Sequence, residues 1–225
     1  MEMSNRKYSV IIVTLNNADG LKRTLQSVSD LRYPCLEVIV IDGASTDSTA
    51  SVVECFGNLV TVFVSEKDKG IYNAMNKGIA YATGDYTVFM NAGDCFATPD
   101  VLNLVNQCDA DIILGGARYG DADRPVPERM TLYDVLSLGI NHQSTYYRTD
   151  LLRKYGFDEN YRLTADLKSV VEPYYREDFL RLSRINNSML DDFIVLSHFQ
   201  SIFPLLRILA KVMRFLNSKF KHIPI

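Results

Sequence analysis

The run Val38-Ile39-Val40-Ile41-Asp42-Gly43-Ala44-Ser45-Thr46-Asp47-Ser48-Thr49 decides the fold. Four consecutive β-branched apolar residues without alternation read as a strand buried on both faces, the kind found in parallel sheets flanked by helices. The strand, Leu36 to Ile41, stops at Asp42-Gly43, and Ser45 to Ser48 supplies several caps for a helix over Ser48 to Phe56. Outward from it the same rhythm repeats. Strands are expected at Tyr8–Thr14, Val60–Val64, Tyr86–Met90 and Ile112–Leu114, and helices at Gly20–Val28, preceded by Asp19 or Ala18, and at Tyr72–Ala82. The alternation predicts an α/β fold with a mostly parallel central sheet and helices on both faces.

In such a sheet a ligand lies beyond the carboxyl ends of the strands. The residues there are Thr14 and Asn16, then Asp42 to Asp47, then Glu66 to Gly70, then Asn91-Ala92-Gly93-Asp94. Asp, Asn and Gly make turns in any protein. Four such loops at one edge point to a polar ligand, with short carboxylates and amides suited to a base and ribose and to a hard divalent cation.

Composition bounds the rest. A chain of 225 residues with 47% hydrophobic and 23% charged residues is one globular domain with at most a small appendage. A net charge of -3 excludes a nucleic-acid binder that neutralises phosphate over its whole surface. Cys35, Cys55, Cys95 and Cys108 form no CxxC pair and have no histidines at zinc-finger spacing, so they read as free thiols in a reducing, cytoplasmic compartment. The apolar N-terminal run is too short for a signal peptide, and the uncharged stretch Phe193–Leu206 is too short and too interrupted to span a membrane. After it the composition changes. Leu205, Ile208, Leu209, Val212, Met213, Leu216 and Phe220 follow helical spacing, while Arg207, Lys211, Arg214, Lys219 and Lys221 fall largely on the other side. Residues 1–198 are therefore expected to form the main domain and 199–225 a basic amphipathic helix. That helix, over 204–221, suits either an anionic membrane interface, at the inner face of the cell membrane, or docking on its own domain or on a second subunit as a homodimer.

Several stretches together resemble the family 2 glycosyltransferases, inverting enzymes of the GT-A nucleotide-diphospho-sugar transferase fold. SVIIVTLNN, VIVIDGASTDST, SEKDKGIYNAMNKGIAYATGDYTVFMNAGD and HQSTYYRTDLLRKYGFDENYRLTADL occur in the family's order between about Ser9 and Leu167, and the third is similar to a subgroup used in bacterial capsule, lipopolysaccharide and exopolysaccharide assembly. The resemblance implies donor contacts from Thr14, Asn16, Asp42, Asp68, Asn91 and Ala92, with Asp42 as the partner of the base. Asn91-Ala92-Gly93-Asp94 falls where the family has an Asp-x-Asp-Asp motif, so Asp94 remains as the ionised ligand of a Mg²⁺ or Mn²⁺ ion. Asp166 falls at the catalytic base, although it also suits a helix cap after Thr164. His142 and Gln143 follow a helix expected over Leu132–Leu138, and the resemblance puts them near the donor diphosphate or the acceptor. Tyr72, Asn73 and Asn76 read as packing and positioning residues.

Processive members carry a Gln-x-x-Arg-Trp motif and membrane helices, and this chain has no tryptophan. The expectation is a non-processive, membrane-peripheral transferase that moves one sugar, hexosyl or N-acetylhexosaminyl, from a UDP-linked donor to a glycan or lipid-linked acceptor in cell-surface polysaccharide synthesis. The alternatives are nucleotidyl transfer on a related sheet, whose Gly-rich basic loop is absent after the first strand, and a degenerate nucleotide-sugar-binding or scaffold protein.

Overall fold

The computed structural model describes residues 6–119, 122–124, 126, 141–160, 165, 168–169, 173, 179–186 and 189–196. The helix expected over Leu132–Leu138, the base candidate Asp166 and the tail from 199 lie outside the described residues.

The first half follows the expected rhythm: β1 (Tyr8–Thr14), α1 (Ala18–Ser29), β2 (Leu36–Asp42), α2 (Thr49–Cys55), β3 (Val62–Ser65), α3 (Ile71–Tyr81), β4 (Tyr86–Asn91), α4 (Val101–Val105) and β5 (Ile112–Gly115). A short antiparallel hairpin of β6 (Ala117–Tyr119) and β7 (Ala122–Arg124) follows, then β8 (Thr145–Arg148), α5 (Thr149–Tyr155), β9 (Phe179–Asn186) and β10 (Met189–Leu196). The large sheet runs β10-β9-β5-β8-β4-β1-β2-β3. Its β3-β2-β1-β4 half is wholly parallel. The other half is mixed, because β8 inserts antiparallel between β4 and β5 and the β9–β10 hairpin closes that edge.

Successive strand residues face opposite sides, so a sheet covered on both faces needs two apolar layers. Ile11, Val13, Ile39 and Ile41 pack with Met75 and Ile79 of α3 and Leu152 of α5. Val10, Ile12, Val38 and Val40 pack with Leu21, Leu25 and Val28 of α1, Val53 of α2 and Leu102 of α4. Each such buried side chain contributes about 1.5–3 kcal/mol. α3 lies close on β1: a Cβ on Gly78 would stand 2.4 Å from Cγ2 of Ile11.

Among the local details that differ from the sequence expectation, three bear on the site and its frame. α1 is capped by Asn17, whose Oδ1 accepts from Gly20 N at 3.0 Å, rather than by Asp19 or Ala18. β3 starts at Val62, because the Val60 N–H is taken by Phe56 O in a turn closing α2. β2 and β4 each run one residue further than expected, so Asp42 and Asn91 are themselves the last residues of strands. Among the described residues no helix is long and apolar enough to cross a membrane.

At the opposite end of β2, Glu37 is 5% exposed and fully engaged. Lys7 Nζ lies 2.7 Å from its carboxylate, and Ser9 Oγ, Thr83 N and Gly84 N donate to it. This carboxylate ties the start of β1 to the turn before β4.

Candidate active site

Register brings the site together. Thr14 stands opposite Asp42, Asp42 opposite Ser65, and Val13 opposite Asn91, so the parallel strands end on one line. Backbone bonds carry the alignment past the strand ends: Gly43 N donates to Thr14 O at 2.9 Å, Glu66 N to Asp42 O at 3.0 Å and Ala92 N to Val13 O at 2.9 Å.

Asp42 is 2% exposed. A buried carboxylate requires donors, and this one accepts from Ser45 N at 3.0 Å, Ser65 Oγ at 2.6 Å and Ser45 Oγ. The bond to Ser45 N folds the chain back at Ala44, which has φ 66°. Asn16, also at positive φ (49°), suits that region better than most side chains. Its N–H donates to Ser45 Oγ at 2.7 Å and its Oδ1 accepts from Thr46 N at 2.8 Å, so the β1 and β2 loops are laced together. Asp47 completes the lacing. Its carboxylate accepts from Thr49 Oγ1 at 2.6 Å, Ala18 N at 2.9 Å and Thr49 N at 3.0 Å, and these bonds, that from the Thr49 hydroxyl foremost, hold it below the usual carboxylate range.

Asp68 comes over from the β3 loop. A Cβ on Gly43 would lie 2.6 Å from Asp68 Oδ2, so glycine at that position lets this carboxylate rest on the end of β2. Its Oδ1 accepts from Gly70 N at 2.8 Å, at the start of α3. Thr14 Oγ1 is buried without a hydrogen-bond partner.

After β4 the chain turns sharply. Asn91 N donates to Asp94 Oδ2 and Asp94 N to Asn91 O, at 2.8 and 2.9 Å, with Gly93 at φ 113°. Ala92 is anchored by Asn17 Nδ2 on its carbonyl at 2.8 Å, and Gly93 N donates to Thr24 Oγ1 at 2.9 Å. The insertion of β8 brings His142–Ser144, a single 3₁₀ turn, against the end of β4. His142 is buried with Nε2 3.4 Å from Asn91 Nδ2, and Gln143 is half-buried on the same turn, its N–H on Asn141 Oδ1 at 3.1 Å.

A hard divalent cation takes oxygen ligands. Asn91 Oδ1 is buried without a hydrogen-bond partner, and Asp94 puts a carboxylate on the same turn. Among the described residues no three His, Cys, Asp or Glu side chains cluster as a metal cage. The donor set therefore fits an ion that draws most of its shell from substrate oxygens and water.

Thr14, Asn16, Asp42, Asp68, Asn91, Ala92, Asp94, His142 and Gln143 thus gather at one edge of the sheet, and Asp166 lies outside the described residues. Ser45, Ser65 and Thr24 hold the site from beneath; the sequence reading has Ser45 only as a loop residue and possible cap, and it missed Ser65 and Thr24. Of those two, only Thr24, a hydroxyl on the buried face of α1, carried a signal.

A family model described as Glycosyl transferase family 2 matches residues 9–166. The PGL/p-HBAD biosynthesis glycosyltransferase Rv2957 of Mycobacterium tuberculosis is 31% identical over 183 residues, 73% of this chain and 68% of its own length. Among solved structures, Staphylococcus aureus TarS 1-349 in complex with UDP-GlcNAc superposes with a TM-score of 0.67 at 22% identity, covering 82% of this chain. The mannosyltransferase PcManGT of Pyrobaculum calidifontis, in complex with GDP-Man and Mn²⁺, gives 0.67 at 22% identity and covers 93%. This chain spans 57% and 64% of those two chains, and at such identity they show the fold.

Proposed function

The chain belongs to glycosyl transferase family 2, and from that membership we propose that it moves a single sugar, hexosyl or N-acetylhexosaminyl, from a UDP-linked donor to a glycan or lipid-linked acceptor, with inversion. The observation that carries the reading is the common end of β1, β2 and β4, which gathers Thr14, Asp42, Asp68 and the Asn91–Asp94 turn at one edge. Asp42 and Asp68 offer acceptors to the N–H of a base and to ribose hydroxyls. The Asn91–Asp94 turn would face the diphosphate, and Asp94 and Asn91 Oδ1 would hold a Mg²⁺ or Mn²⁺ ion. When bound, that ion neutralises charge developing on the leaving diphosphate. His142, beside Asn91, takes the diphosphate or the acceptor together with Gln143.

Inversion requires a carboxylate on the face opposite the leaving group, to remove the acceptor hydroxyl proton as the anomeric carbon is attacked. Asp166 takes that role in this reading. The donor assignment draws support from TarS, solved with UDP-GlcNAc, and the metal from PcManGT, solved with Mn²⁺. A glycan or lipid-linked acceptor of the cell surface accords with a relative named for PGL/p-HBAD biosynthesis, and a basic helix over 204–221 would keep the enzyme beside a membrane.

The reading is tested at the base. Asp166→Asn should keep UDP binding in calorimetry and lose transfer of label from a UDP-sugar to cell-envelope glycan or glycolipid, by about 10²-fold or more. Turnover equal to that of the unaltered chain would move the role to another residue.

A further inference from the structure

α3 begins at the donor loop, and polar side chains of its first two turns bond both that loop and the acceptor-side turn at Phe157–Glu159. Asn73 Oδ1 accepts from Lys69 N at 3.1 Å, next to Gly70, whose N–H caps Asp68. Asn73 Nδ2 reaches the other way, to both oxygens of Glu159 at 3.1 Å. One turn on, Asn76 Nδ2 donates to Glu159 Oε1 at 3.0 Å and to Phe157 O at 2.8 Å, while its Oδ1 accepts from Phe157 N at 2.8 Å. The Asn76 amide thus clamps the Phe157 backbone much as a strand partner would. Tyr72 stacks on Phe157 with ring centroids 5.5 Å apart, which fixes the same turn from its apolar side.

The contacts link the two places in steps: Gly70 N holds the Asp68 carboxylate, the neighbouring Lys69 N is held by Asn73, Asn73 and Asn76 hold Glu159, and Asn76 holds Phe157. Glu159 is exposed, and an exposed carboxylate needs no protein donors for solvation. Three amide N–H contacts on it, with Lys69 and Lys77 adding favourable charge, make it a fastener between segments. Residues 157–160 lie a few positions before Asp166 in the chain.

We propose that Asn73, Asn76 and Glu159 are positioning residues that couple the donor loop at Asp68 to the acceptor-side turn at Phe157–Asn160, so that nucleotide binding steadies that turn. The inference rests on the donor-site reading above. Coupling between two such sites follows from differential contacts in the empty and occupied states, and it is reciprocal.

Amide hydrogen exchange on the full chain, with and without saturating UDP and Mn²⁺, tests it. UDP should slow exchange at 42–46 and, through the fastener, at 157–160 by at least about fivefold. In Glu159→Ala, which removes the Asn73–Glu159 and Asn76–Glu159 bonds and leaves the Asn76–Phe157 bonds in place, the UDP effect at 42–46 should persist and that at 157–160 should shrink. A merely structural role would raise exchange at 157–160 equally in both states and leave the UDP-dependent difference unchanged. Protection at 42–46 without protection at 157–160 in the unaltered chain overturns the coupling and leaves the donor site standing. Absence of protection anywhere, with UDP and with GDP alike, overturns the donor site and the coupling with it.

Discussion

Most of the hydrogen-bonding capacity of Asp42 is taken by the protein itself. A carboxylate offers about four lone-pair sites, and Ser45 N, Ser45 Oγ and Ser65 Oγ occupy most of them. Asp42 therefore does two jobs with one group: it shapes the β2 loop, and it keeps a remaining acceptor position at the site. Asp42→Asn turns one acceptor into a donor facing the Ser45 N–H. The expected cost is about 1–3 kcal/mol in stability with at least a tenfold loss of UDP affinity, read by thermal melting and calorimetry. Unchanged UDP affinity would assign the base to Asp68 alone. Thr14, Asp42, Asp68 and Asn91 were legible in the sequence because polar residues just after apolar strand runs face the ligand edge. Ser65 was not. A hydroxyl ending a short strand looks like any solvated serine until the register places it opposite Asp42.

At the scale of elements, the β3-β2-β1-β4 half could be read directly, since each strand is a continuous apolar run and each helix has its own periodicity. Of the mixed half only β5 could. β8 is four residues long and owes its place between β4 and β5 to pairings made across the sheet with Tyr86–Thr87 and Ile112–Leu114, which no local pattern encodes. That insertion carries His142 to Asn91, so the relation between those two residues was likewise hidden. The far ends of the elements are fixed by Glu37, whose burial pushes its carboxyl up but whose bonds from Lys7, Ser9 and Thr83 win, holding it at about 2 against an ordinary 4.5. A depressed carboxyl stabilises the fold above its unfolded value and loses that contribution as pH falls through the folded one. Stability should thus drop between pH 4.5 and about 2, by up to about 3 kcal/mol. Glu37→Gln should flatten that part of the curve in denaturant melts, without altering UDP binding at the opposite end of the sheet. A curve of unaltered slope would show the network to be inert.

The whole molecule divides its labour along the sheet. The parallel half supplies a ledge of strand ends, and the mixed half brings in the 3₁₀ turn at His142 and the turn at Glu159, which is bound to α3. A net charge of -3 gains meaning on this scale, because the carboxylates of Asp42, Asp68 and Asp94 collect at one edge while the basic residues after Phe199 collect in the tail. In the donor-site reading such an edge calls for positive charge beside the diphosphate, so metal dependence is the expectation to be tested. Calorimetry of the full chain against UDP, first with Mn²⁺ and then with EDTA, tests the central claim most directly. Binding in the micromolar range with Mn²⁺ that weakens at least about tenfold in EDTA is the expected result. No binding of UDP or any other nucleotide diphosphate in either condition would contradict the donor site outright.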